Sequence, residues 1–115
     1  MEKKSALSAF AALSQETRLD VFRLLIEAGD TGLVAGDIAE TLDVKQNTLS
    51  ANLSVLLNAG LVKNQREGRA IRYFADTNGL QGLLGFLLQD CCGGRPELCQ
   101  PLIADLTCTD KDICA

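Results

Sequence analysis

The chain has 115 residues, 47% of them hydrophobic and 23% charged, with a formal net charge of −4, five cysteines and no histidine. This size and apolar content fit one folded domain, so disorder is not the default expectation. The longest greasy stretch, Leu80–Leu88, is interrupted by Gln81, Gly82 and Gly85 and is too short to span a bilayer, and Met1–Ser8 does not read as a secretory signal.

In chain order, Ser5 is placed to cap an opening helix with Leu7, Phe10 and Ala11 on one face. A stronger helix is predicted over Arg18–Ala28, where Val21, Phe22, Leu24, Leu25 and Ile26 form a wide apolar face before Gly29 stops it. Ala35–Leu42 reads as a short helix with Ile38, Ala39 and Leu42 inward. Asp43–Gln46 is a tight connection whose Val44 packs between helices. The best-defined helix covers Asn47–Ala59, with Leu49, Leu53, Leu56 and Leu57 on one stripe. Leu61–Lys63 and Ala70–Phe74 read as two strands joined through Arg66–Arg69. Asp76–Asn78 caps a last helix that carries Leu80, Leu83, Leu84, Leu87 and Leu88 on one face. The expected class is mainly α with a β-hairpin wing (α+β), in a domain over residues 1–90. A cysteine-bearing tail follows over 91–115, with a small amphipathic turn at Leu102–Leu106.

The acidic balance hides a basic segment. Residues 45–72 carry Lys45, Lys63, Arg66, Arg69 and Arg72 against Glu67 alone, as a phosphate-contacting surface requires. A short helix, a tight turn and a helix with a polar leading edge form the helix-turn-helix order, and a hairpin follows. In that motif the second helix enters the major groove. Lys45, Gln46, Asn47, Thr48, Ser50 and Asn52 suit that surface: Gln and Asn pair with adenine edges, and Ser and Thr serve bases or phosphates. Arg66, Arg69 and Arg72 would bring the hairpin to a phosphate backbone or minor groove. An enzyme is not expected, because the chain lacks histidine, a phosphate-cradling glycine motif and paired carboxylates.

Cys91, Cys92 and Cys99 fall within nine residues bent by Gly93, Gly94 and Pro96. They are a soft ligand set without nitrogen donors, suited to thiophilic ions. Structural zinc normally takes four ligands, commonly including histidine. A reversible disulfide switch uses the same residues.

Leu13–Val21, Gln46–Leu53, Leu57–Val62, Arg66–Arg69 and Tyr73 together resemble the ArsR family of winged-helix repressors. The resemblance covers roughly residues 5–90 and implies a homodimer, paired through its first and last helices, that binds operator double-stranded DNA; the lack of a recognisable signal or spanning stretch makes a cytoplasmic protein with no membrane partner the expectation. It also implies release of that DNA when an inducer binds. Members often carry histidine where this chain has Asn52, which implies altered operator preference.

Many arsenic sensors of the family hold a Cys-x-Cys pair on the helix before the reading helix, and Ala35–Leu42 has no cysteine. Cys91, Cys92 and Cys99 resemble instead a subgroup with the inducer site at the C-terminal end. The resemblance thus implies As(III) as inducer, with Sb(III) similar, bound by three thiolates in a pyramid. Cd or Pb sensing, or redox sensing, is the alternative on the same fold. Cys108 and Cys114 are expected to be accessory or without function.

Overall fold

The computed structural model describes residues 1–88, and the cysteine-bearing tail with its expected turn at Leu102–Leu106 lies outside them. Helix α1 (Lys3–Leu13) buries Ala6, Ala9 and Ala12, a stripe of methyl groups that lets its backbone approach its neighbours closely. Its Leu7 is 61% and its Phe10 40% exposed, so the face they share with Ala11 is turned outward while the alanine stripe faces the core. Ser5 lies inside this helix. The N-cap is Glu2, which makes no side-chain capping bond.

Helix α2 (Glu16–Ala28) begins two residues before the sequence pattern suggested, because Gln15 accepts a hydrogen bond from the Arg18 amide at 2.8 Å and caps it. Val21, Phe22 and Leu25 enter the core. A 3-10 turn (Gly29–Thr31) leads to β1 (Leu33–Val34). Gly32 between them has φ +64°, and a Cβ there would overlap the Phe74 ring and the Tyr73 carbonyl. This glycine is required on both counts.

Helix α3 (Ala35–Leu42) buries Ile38 and Ala39. Asp43 adopts a left-handed conformation with φ 54°, and Val44 donates to the Ala39 carbonyl at 3.0 Å, closing the turn. Val44 packs partly buried against the core, as its sequence position suggested. Helix α4 (Gln46–Asn58) buries Leu49, Leu53 and Leu56, and Leu57 is half-buried against the same cluster. Strands β2 (Val62–Glu67) and β3 (Ala70–Ala75) pair antiparallel from Val62↔Ala75 to Glu67↔Ala70. The hairpin is longer than expected, and β1 adds to it in the order β1-β3-β2. Only Val62 of β2 is buried, so the rest of that strand stands out as a wing. Helix α5 (Thr77–Leu87) is capped as predicted: Asp76 accepts from the amides of Asn78 and Gly79. The class is mainly α with a β-hairpin, as expected.

Candidate nucleic-acid interface

The leading edge of α4 is fixed from below by its leucines and presents its polar side chains outward. Lys45, Gln46, Asn47, Thr48 and Ser50 are all exposed. Lys45 occupies the N-cap without a side-chain capping bond, while Asn47 accepts from the Thr48 amide at 2.9 Å. Ser54 is exposed too. It lies seven residues after Asn47 and four after Ser50, so it continues their face by about two helical turns. Ser54 lies beyond the first turns from which the expected set is drawn, although its spacing from Asn47 and Ser50 is visible in the sequence.

Asn52 is a correction. It is 8% exposed, and its Oδ1 accepts from an Arg18 Nη at 3.3 Å. Its position falls between the buried Leu49, Leu53 and Leu56, on the side of α4 turned to the domain, so it does not share the outward face of Asn47 and Ser50.

The wing divides its arginines. Arg66 is exposed at the hairpin end and donates through Nε to the Gly68 carbonyl at 3.2 Å. Arg69 is exposed in the turn, beside Gly68 with its φ of +62°. Arg72 is instead engaged within the fold. Its Nε donates to both carboxylate oxygens of Glu67, at 3.0 and 3.1 Å, and an Nη reaches the carbonyls of Thr31 and Gly32. This ties the wing to the α2–β1 connection, so the expected phosphate role of Arg72 gives way to an anchoring one. A cleft of about 440 Å³ lies between the wing and the β1–α3 junction, with Gly36, Arg69 and Ile71 in its walls and Ser50 as the α4 residue that lines it. Ser50 of the polar α4 face and Arg69 of the wing tip thus border one open groove, an arrangement suited to a duplex backbone.

Among the described residues no group of three His, Cys, Asp or Glu side chains could hold a metal ion, and no helix is long and apolar enough to cross a membrane. Cys91, Cys92 and Cys99 lie outside the described residues.

A family model for helix-turn-helix domains matches residues 13–65. The transcriptional repressor SdpR of Bacillus subtilis is 33% identical over 91 residues, covering 79% of this chain and 98% of SdpR. The arsenical resistance operon repressor of the same organism is 32% identical, over 72% of this chain and 75% of its own length. An ArsR-like transcriptional regulator from Rhodococcus sp. RHA1 superposes with a TM-score of 0.67 at 29% identity, over 94% of this chain and 95% of that one. The homodimeric winged helix-turn-helix DNA-binding domain Mb0332 of Mycobacterium bovis superposes with a TM-score of 0.60 at 26% identity, over 80% and 85%. The chain belongs to the ArsR family of helix-turn-helix transcriptional repressors. It is a DNA-binding regulator and not an enzyme.

Proposed function

We propose that this repressor binds operator DNA as a homodimer and releases it when As(III), or the chemically similar Sb(III), is held by Cys91, Cys92 and Cys99. Arsenic-resistance genes under that operator would then be expressed, and the protein would act in the cytoplasm. Gln46, Asn47, Thr48 and Ser50 would meet base edges, and Lys45, Arg66 and Arg69 would meet phosphates. The homodimer is supported by the apolar side chains that α1 and α5 leave outward: Leu7, Phe10, Leu84 and Leu87 are 40–61% exposed. The Mycobacterium bovis domain of the same fold is homodimeric.

The arsenic reading is carried by one observation: three cysteines follow within twelve residues of Leu87, where α5 ends, in a chain without histidine. Arsenous acid would exchange its three hydroxyls for three thiolates, each thiol proton leaving with a hydroxyl as water. Binding at the end of α5 would reshape an element of the dimer face and alter the spacing of the reading helices, which a dimeric operator fixes geometrically. An allosteric coupling of about 1–3 kcal/mol would weaken DNA binding about 5- to 150-fold.

The test is a thiol titration of reduced protein with a chromogenic disulfide. One equivalent of As(III) should protect Cys91, Cys92 and Cys99 and leave Cys108 and Cys114 reactive. Unprotected thiols, or protection by Cd(II) but not As(III), would reject the arsenic assignment.

A further inference from the structure

Arg18, in the first turn of α2, ties three helices together. Its amide is held by Gln15 at 2.8 Å. Its Nε donates to the Ala12 carbonyl at 2.7 Å, and one Nη donates to the Ala11 carbonyl at 3.4 Å. The other Nη donates to Oδ1 of Asn52 at 3.3 Å. A cation is favoured among these carbonyls because they are the negative end of α1, whose last turn has no basic residue of its own. Asn52 is the one buried polar side chain among the described residues. An amide at such a position is costly unless it is paired, so apolar packing alone gives no reason for it.

Directionality separates this contact from the rest of the α4 seat. Leu49, Leu53 and Leu56 make apolar contacts, which tolerate small rotations of the helix. A planar guanidinium with three fixed acceptors does not, because its donors form a rigid fork. We propose that Arg18 is a positioning residue for operator recognition: through Asn52 it fixes the angle between α1 and the reading helix α4. In the dimer, that angle sets the separation of the two reading helices. The inference rests on the homodimeric operator-binding reading given above. Arg18 itself needs no contact with DNA.

The test compares wild type, Arg18→Gln and Asn52→Ala in operator binding by fluorescence anisotropy over a salt series, with sedimentation for the dimer and circular dichroism for the fold. Both variants should remain folded dimers and bind the operator about 2- to 30-fold more weakly. Their salt dependence should match wild type, and a fragment with one extra base pair between half-sites should lose less affinity than the native operator does. A purely stabilising role would not move that spacing preference. Asn52→Ala leaves both α1 carbonyl bonds intact, so it decides the matter if Arg18→Gln does not fold. Wild-type affinity in folded variants would overturn the tether alone. So would a salt slope lowered by about 0.9 in Arg18→Gln, since that marks a lost phosphate contact. Failure of the wild-type protein to bind any operator fragment would overturn the operator reading and the tether with it.

Discussion

Gly79, in the first turn of α5, lies against the carbonyl of Gly60, the residue that carries the chain out of α4. A Cβ at Gly79 would overlap that oxygen and crowd the Leu61 backbone. The start of the last helix thus rests on the end of the reading helix with no side chain between them. The Asp76 amide holds the same junction by donating to the Leu61 carbonyl at 2.8 Å. A shift along α5 therefore has a direct mechanical route to α4. Gly79→Ala should destabilise the fold by about 1–3 kcal/mol in urea unfolding, because the obstruction is backbone and cannot swing aside. An unchanged urea midpoint would mean that the junction is looser than this contact implies.

The wing arginines should separate by assay. Arg66→Ala and Arg69→Ala are each expected to lower the salt slope of operator binding by about 0.9 while leaving stability unchanged. Arg72→Ala should behave in the opposite way. It removes the Glu67 pair and the bonds to Thr31 and Gly32, costing about 1 kcal/mol of stability with little change in slope. Salt-dependent anisotropy and urea unfolding on all three variants check this together.

At the leading edge of α4, Gln46→Ala should cost about 1–3 kcal/mol of operator discrimination and relax preference at one base pair. Because Gln46 is exposed, the melting temperature should not move. Competition with single-base operator variants measures the effect.

Much of this was legible in the sequence, and the failures have physical causes. The leucine periods of α4 and α5 and the Asp76 cap follow local rules, and each stands where its pattern placed it. Strand β1 is two residues long and exists only through its pairing with β3, so no local pattern announces it. In α1 the expected apolar face chose large side chains. The close approach of neighbouring helices selected alanines instead, leaving Leu7 and Phe10 outside. Asn52 misled because a polar residue on a reading helix looks solvent-facing, and the Arg18 that pairs with it lies 34 positions away. Arg72 was counted with its charge segment, although the strand register brings it to Thr31 and Gly32. The inducer site follows from cysteine spacing together with the family resemblance, and its three cysteines lie outside the described residues.

Cys99→Ser should leave operator affinity intact and remove the response to As(III), so that the variant stays on DNA at concentrations that release wild type. Fluorescence anisotropy of the preformed complex reads this directly. Release at wild-type As(III) levels would take Cys99 out of the site.

Anisotropy of a labelled operator fragment bound by reduced wild-type protein, titrated separately with As(III), Cd(II) and peroxide, separates an arsenic sensor from its alternatives. Stoichiometric As(III) should release the operator, with Cd(II) and peroxide inert. Release by peroxide alone, reversed by a reductant, would make the three cysteines a redox switch and rule out As(III) as the inducer.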